Sequence, residues 1–548
     1  MHAVAGLRPN GALLGSAATG ADEELRRRRG LELTACAVAL GLLALVMSAG
    51  HIRAGGFYYD DWSLLALARF PGHAGTLHGL WLDYGQRPGQ VLYYAALGGT
   101  LGGSSSARLA LASATLVLEV TCLYALLRRL GLAARHAVAI AALVLVFPFS
   151  DSIWLWGVLS LSSLAIAIYL VGAMLALRAL QSSGPRALAL HGASLALFVT
   201  SVASYEVVAV AAGLTGLLYV RQLGMRRARG RWTLDVIAVA LTLLTTRALL
   251  PIDVATPSRM QSLSGLISHG GLIAVRGARL IGAAAVPLPG LDPWIGAAAL
   301  VAVLATATWL RCRLGPEEQL RAELGRWLAV AGAGALVAIA GWSVYVPATD
   351  HYAPTLGGTV NRMNAGAAIG VALLVYAAVV LLVRMLGRRL TLSSASAAAL
   401  TGAIAALLLA GYLNRAAGDA RAWDRAAADQ RAELADLHAG LPRPPATATV
   451  FAFDAPSRVA LGVPVLSSAL DLTSALRISY SSPGLLAAPL AGAAGLSCRA
   501  DGPVAGGVAG AYGLAYLVDV RRRSAALLTA PRQCAALRRS AAGAAGRS

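Results

Sequence analysis

The chain alternates between long apolar runs and short arginine-rich breaks over most of its length. A helix needs about 20 apolar residues to cross the hydrocarbon core of a bilayer. Runs of this kind lie at roughly 31–50, 106–127, 134–149, 153–174, 187–204, 206–220, 233–250, 294–310, 327–346, 364–384 and 393–413, which predicts about eleven transmembrane helices. The 187–220 stretch reads either as two helices or as one long tilted helix.

The breaks decide between these readings. Arg26 to Arg29 precede the first span and read as a cytoplasmic anchor on a retained first helix. With eleven crossings, Arg128 and Arg129, Arg178 and Arg186, and the clusters at 221–231, 311–326 and 384–389 all share that side. Merging 187–220 into one helix would turn every later cluster outward, against the positive-inside rule, so two helices are expected.

The opposite side receives different material. Loop 51–105 carries Asp60, Asp61, Asp83 and Arg87. Loop 251–293 carries Asp253, Arg259, His269, Arg276 and Arg279, and loop 347–363 carries Asp350, His351, Asn361 and Arg362. Residues 414–548 follow the last span and fall on the same side. Their Ala-rich, charge-dotted start at 415–439 reads as an exposed helix. The alternating run Thr447–Phe453 and the stretch Tyr512–Val520 read as strands. The expected fold is thus an all-α polytopic membrane protein with a small extracytoplasmic α/β C-terminal domain. Its parts are a cytoplasmic tail at 1–30, a membrane domain at 31–413 and the outer domain at 414–548.

Composition agrees. The chain is 57% hydrophobic and only 13% charged, where soluble domains carry roughly 25% charged residues. The net charge is +20 with no lysine at all. Because the arginines sit between apolar spans, membrane topology explains them and nucleic-acid binding does not. The Ala, Gly and Arg usage fits a GC-rich bacterial genome, which places the chain in a bacterial cytoplasmic membrane. Cys498 and Cys534 both lie in the outer domain, where a disulfide can form.

One stretch carries candidate chemistry. The first outer loop reads Gly55-Gly-Phe-Tyr-Tyr-Asp-Asp-Trp-Ser63, followed by Gly85-Gln-Arg-Pro-Gly89. The acidic pair starts about ten residues after the first span, at the membrane–water boundary. Segment 89–103 is apolar but short for a crossing and is expected to lie along the interface. Trp62, Trp81, Tyr58, Tyr59, Tyr93 and Tyr94 suit that depth. Asp61 equally suits a helix cap, Arg87 a headgroup anchor, and Asn361 a cap for the helix behind Arg362. Asp151 and Glu206 sit in tight turns near outer helix ends, and ionisable groups at membrane depth are functional candidates by default. Asp253 reads more simply as a loop residue.

The long first outer loop, its acidic motif, the interface segment and the outer C-terminal domain resemble the GT-C superfamily of polyprenyl-phosphate-dependent glycosyltransferases. Asp-Asp-Trp with the later Arg-Pro looks like membrane glucosyltransferases that decorate bacterial surface glycans. The resemblance implies transfer of a sugar from a lipid-linked donor to an envelope glycan or lipid at the outer membrane face, by inverting displacement. It implies Asp60 or Asp61 as general base, Arg87 and Arg362 on the donor phosphate, and Trp62, His351 and Tyr352 on substrate. These groups are expected around one cavity open toward lipid. No second acidic motif is identified, so a divalent cation stays open as cofactor. The alternatives are a glycan or lipid transporter or flippase, and a non-catalytic envelope assembly protein. Transporters tend to show two related halves, which this chain lacks.

Overall fold

The computed structural model describes residues 11–248, 262–313, 318–454, 456–492 and 495–545. Helix α1 (Gly11–Ala54) leads into three interface helices, α2 (Asp60–Arg69), α3 (Gly72–Tyr84) and α4 (Pro88–Leu101). Then come α5 (Ser105–Arg129), α6 (Ala134–Leu145), a single turn α7 (Ser152–Leu155), α8 (Ser160–Ala179) and α9 (Gly184–Ser204). The membrane part continues with α10 (Ala209–Leu214), α11 (Gly216–Leu223), α12 (Met225–Ala248), α13 (Leu263–Ala285), α14 (Pro293–Arg313), α15 (Glu318–Ser343), α16 (Ala365–Arg389) and α17 (Ser394–Gly440).

Among the described residues, nine helical segments are long and apolar enough to cross a membrane. The two other expected crossings are α6, with 12 residues, and α12, with 24. Val46 and Leu407 are 80% and 73% exposed, a placement that lipid explains. The chain is a multi-pass membrane protein. Residues 187–220 divide into two candidate spans, Gly184–Ser204 and Glu206–Leu223, because the backbone is extended at Tyr205 and α9 ends there. Helix α6 stops at Leu145, short of the expected 149; Pro148 disfavours helical backbone just before it.

The arginine-rich turns gather at one end of the bundle. Arg128 pairs with Glu32, Arg129 donates to Gln181 over 2.7 Å, and Arg384 pairs with Glu323 at 3.3 Å. The other end carries α2 to α4 and the C-terminal domain. It also carries α13, a helix where the sequence alone predicts a loop. Near its start His269 meets the Val346 carbonyl at 3.1 Å, and near its end the Tyr412 hydroxyl donates to the Ala284 carbonyl at 2.8 Å. Val346 follows the domain end of α15, and Tyr412 lies where α17 leaves its apolar run, so α13 runs along that end rather than through the bundle. Asp253 and Arg259 of the same loop lie outside the described residues.

Helices α15 and α16 pack backbone to backbone through small residues. A Cβ added at Gly370 would come within 2.2 Å of the Ala338 nitrogen. That contact fixes α16, whose head carries Arg362.

Helix α17 runs 47 residues without a break, so the boundary expected at 414 falls inside it. Beyond it, β1 (Thr449–Phe453) leads through α18 (Ala469–Tyr480) to β2 (Leu486–Leu490). Three short strands follow, β3 (Ser497–Cys498), β4 (Pro503–Ala505) and β5 (Val508–Ala509), which form their own sheet. Strands β6 (Ala515–Asp519) and β7 (Ser524–Leu528) and helix α19 (Pro531–Ala545) complete the domain. The main sheet has order β2-β1-β6-β7, with β1 parallel to both neighbours and β7 antiparallel to β6. Both expected strands are present, as β1 and β6. The Cys498–Cys534 disulfide ties α19 to the small sheet, with Cα atoms 5.9 Å apart.

Candidate functional site at the domain end

The Asp-Asp pair opens α2. Two carboxylates in a first turn face the positive end of the helix dipole. Their surroundings differ sharply. Asp61 is fully buried; its Oδ2 accepts the Tyr58 N–H at 3.2 Å, and Oδ1 lies 3.9 Å from the Arg108 guanidinium. Burial pushes its carboxyl up to about 7, against the pull of Arg108. The entry is locked by Tyr58, whose hydroxyl donates to the Trp423 carbonyl of α17 at 2.9 Å. Tyr59 sits at φ 46°, a conformation side chains rarely adopt, and turns Asp60 out of the path of Asp61.

Asp60 is half-buried, and among the described residues its carboxylate accepts no hydrogen bond. Burial raises its pKa to about 6; the Arg362 charge pulls it down, and Asp471 and Asp83 push it up. Arg362 belongs to a 3₁₀ segment, Thr359–Asn364, at the head of α16. Its guanidinium lies over the Trp156 ring at 5.3 Å and donates to the Thr359 carbonyl at 3.0 Å. No carboxylate among the described residues stands within ion-pair distance of it. It is a cation held in place by an aromatic face and a carbonyl, with its remaining donors open to an anion.

The segment behind Arg362 is pinned at several points. Asn361 Nδ2 donates to Asp151 Oδ1 at 2.6 Å, and its Oδ1 accepts the Ser152 N–H at 3.2 Å. Asn364 Nδ2 donates to the Phe149 carbonyl at 2.5 Å, while Trp342 Nε1 donates to Asn364 Oδ1 at 3.1 Å. Asn361 therefore clamps the segment to the α6–α7 turn. It does not cap α16, whose own cap position, Asn364, makes no side-chain capping bond. From the C-terminal domain, Leu461 closes on Gly357 and Gly358: a Cβ at Gly358 would meet the Leu461 carbonyl oxygen at 2.2 Å. His351 is exposed beside this loop, edge-on to Tyr352 at 5.4 Å. Burial and the Arg362 and Arg458 charges lower its pKa.

Arg87 is differently placed. It grips Glu206 with two donors, at 2.6 and 2.7 Å, and lies over the Tyr205 ring at 5.1 Å. Burial opposes its charge, and Glu206 more than offsets this, so its pKa is raised. Tyr345 feels the charges of both arginines; among the described residues its buried hydroxyl has no hydrogen-bond partner.

Of the expected constellation, Asp60 and His351 each lie within electrostatic reach of Arg362. Asp61 sits behind them in the protein. Arg87, whose charge Tyr345 feels together with that of Arg362, has its fork taken up by Glu206. Trp62 turns the other way: its Nε1 donates to Gln430 at 3.3 Å and its ring packs on the core of the C-terminal domain. It fastens α2 to that domain and is not placed against substrate space. The sequence reading missed Trp156, Tyr345, Arg458 and Asp471. The last two lie in a tail with no motif, and only the folded chain brings them over the loop. Among the described residues no three His, Cys, Asp or Glu side chains cluster as metal ligands.

No protein-family model and no curated protein matches the chain. Among solved structures it is similar to the crystal structure of ArnT from Cupriavidus metallidurans bound to undecaprenyl phosphate. The identity is 13%, the TM-score 0.38, and the match covers 78% of this chain and 84% of that one. The crystal structure of the same protein in the apo state matches 79% of this chain and 84% of that one, at 16% identity and a TM-score of 0.37.

Proposed function

We propose that the chain is a glycosyltransferase of the GT-C type. It moves a sugar from a polyprenyl-phosphate donor to an acceptor of the bacterial cell envelope. Transfer takes place at the outer face of the cytoplasmic membrane, with the N-terminus in the cytoplasm. The observation that carries this reading is the pairing of two incompletely satisfied groups at the membrane boundary. Among the described residues, Asp60 is a carboxylate without a hydrogen-bond donor and Arg362 a guanidinium without a carboxylate partner.

The chemistry follows from those two groups. The acceptor hydroxyl gives its proton to Asp60 as its oxygen bonds to the anomeric carbon. The bond from that carbon to the phosphate oxygen breaks, and its electron pair leaves with the phosphate. Arg362 meets the charge that gathers there, and its planar fork matches phosphate oxygens. A base works best with a pKa near the operating pH, and about 6 is close to that. Attack opposite the departing phosphate inverts the anomeric centre. Asp61, buried against Arg108, braces α2. His351 and Tyr352 border the acceptor side. Arg87 is the lesser phosphate cation, because Glu206 must yield before its fork is available.

The test is mass spectrometry of envelope glycans and lipids from a deletion strain, complemented with wild type or with Asp60→Asn. Loss of one glycosylated species in the deletion, restored by wild type and not by the variant, supports transfer. An unchanged glycan and lipid profile in the deletion strain would remove it.

A further inference from the structure

The basic end of the bundle carries a second feature, remote from Asp60 and Arg362. A groove of about 260 Å³ runs between α6, α16 and α17. Its mouth is set by Arg135, at the start of α6, and Arg384, near the end of α16. Its wall runs from Ala397 to Leu409 along α17. Twelve helical steps of about 1.5 Å each make it about 18 Å long, along the bundle axis. Leu143 and Leu409 close the deep end; the α17 wall between is mostly small and apolar, and on the facing side the polar atoms of His136 and Tyr376 meet each other at 2.8 Å. Gly402 and Ala406 are exposed, so the groove opens sideways where lipid would lie. A Cβ added at Gly402 meets nothing within 4 Å, so the groove is open space there.

Two cations at one end of a narrow apolar slot fit a molecule with an anionic head and a hydrocarbon tail. Arg135 makes no ion pair among the described residues; Arg384 pairs through Nε with Glu323 at 3.3 Å and is partly exposed. The arginine-rich end faces the leaflet in which anionic lipids attract basic segments. The slot is narrower than the roughly 300–1,000 Å³ of a drug-sized pocket, which suits one acyl chain with its headgroup outside.

We propose that this groove binds one anionic glycerophospholipid, phosphate against Arg135 and Arg384, one acyl chain along Gly402 and Ala406. The occupant is a structural lipid of the leaflet at the basic end, separate from any donor used at the opposite end.

Native mass spectrometry of the detergent-purified full chain tests this, titrated with phosphatidylglycerol and, in parallel, phosphatidylcholine of identical chains. Wild type should retain one phosphatidylglycerol in preference to phosphatidylcholine. Arg135→Ala should weaken retention about fivefold, one arginine's share of attraction at a membrane surface. Gly402→Phe should abolish retention with both arginines intact, because the ring fills the slot. Thermal unfolding of the lipid-free variants should match wild type, which separates loss of the site from loss of the fold. Equal retention of both lipids by wild type overturns the proposal, as does undiminished retention by a folded Gly402→Phe. Preferential retention of undecaprenyl phosphate over phosphatidylglycerol overturns the assignment to a glycerophospholipid.

Discussion

Asn361 donates to Asp151 across 2.6 Å, joining residues 210 positions apart. One residue further along the first segment and five along the second, the same two segments meet again, with Arg362 lying over Trp156. The short turn from Asp151 to Trp156 thus grips the Arg362 segment twice. Burial, and then the carboxylate of Asp419, raise the Asp151 pKa well above its ordinary value. A protonated Asp151 can share a hydrogen bond with Asp419 while still accepting from Asn361. The orientation of Arg362 is therefore set by a buried acid–amide cluster that touches no exposed surface.

Asn361→Ala should leave the Ser152 N–H and Asp151 without their amide partner. An unsatisfied buried group costs roughly 1–3 kcal/mol, so the variant should fold with a lowered melting temperature. Because Arg362 loses its neighbour's clamp, donor KM should rise in the same variant. Asn361→Asp should fare worse, since it sets a third carboxyl against Asp151 and Asp419. Unchanged donor KM in a folded Asn361→Ala would show that Arg362 is held without it.

Asp60 and Asp61 should separate on substitution. Losing a positioned general base costs on the order of 10²–10⁴ in rate, so Asp60→Asn should nearly abolish transfer with insertion and melting temperature near normal. Asp61→Asn changes a buried group beside Arg108, and its main effect should be on stability. Steady-state transfer rates and thermal unfolding of both purified variants check this. The reverse pattern would exchange the two roles.

The pH dependence has a definite sign. Asp60 must be ionised to accept a proton, and its pKa is raised to about 6. Below that pH, kcat/KM should fall about tenfold per unit, and above it should level off. Donor phosphate at Arg362 would neutralise the charge that holds the Asp60 pKa down. The inflection in kcat, which reports the bound enzyme, should therefore lie above the inflection in kcat/KM. A profile flat between pH 5 and 8 would exclude Asp60 as the base.

Much of the fold is legible in the chain because burial in lipid imposes long apolar runs and one-sided arginines. The two strands β1 and β6 are legible for the same kind of reason: their side chains face buried layers on both sides of the sheet. Helix α13 is not, because its glycines, arginines and histidine break the apolar run of a helix that lies on a surface. The continuity of α17 is also hidden, since composition changes at 414 while helical propensity does not. At the site, local motifs name Asp60, Asp61 and Arg362. Local sequence cannot show that Arg87 meets Glu206 from 119 residues away, or that Trp62 turns toward Gln430 from 368 residues away. Those pairings are set by which helices become neighbours, and adjacent positions in the chain carry no record of it.

Topology is open to a direct measurement. Arg389 ends α16 at the arginine-rich end, and Gly440 ends α17 at the domain end. Reporter fusions after these two residues should report opposite sides, with the Gly440 fusion outside. The Cys498–Cys534 disulfide adds a second readout, because it persists only in an oxidising compartment. It closes a loop of 36-residue separation, for which chain entropy gives about 4 kcal/mol, so Cys498→Ser should loosen α19 and lower the domain's melting temperature. Fusions on the same side would require an even number of crossings between them, against the single pass of α17.

Arg362 offers the sharpest distinction between binding a phosphate and merely building the loop. Its neighbours already fix the loop: Asn361 on Asp151, and Asn364 on Phe149 and Trp342. Its own contacts, the Trp156 face and the Thr359 carbonyl, support the side chain rather than the backbone. Arg362→Ala should therefore leave the melting temperature nearly unchanged. If the guanidinium binds the donor phosphate, the lost charge-assisted bonds are worth roughly 1.5–3 kcal/mol, about 10- to 150-fold in donor use. Acceptor KM should stay near wild type. Arg362→Lys should recover only part of the loss, because an ammonium keeps the charge but lacks the planar fork and stacks less well on Trp156. Trp156→Leu should mimic Arg362→Lys in direction, since it removes the face that holds the guanidinium. Full recovery by lysine would reduce the requirement to a point charge. Equal losses in donor and acceptor use by Arg362→Ala would take the phosphate away from this residue.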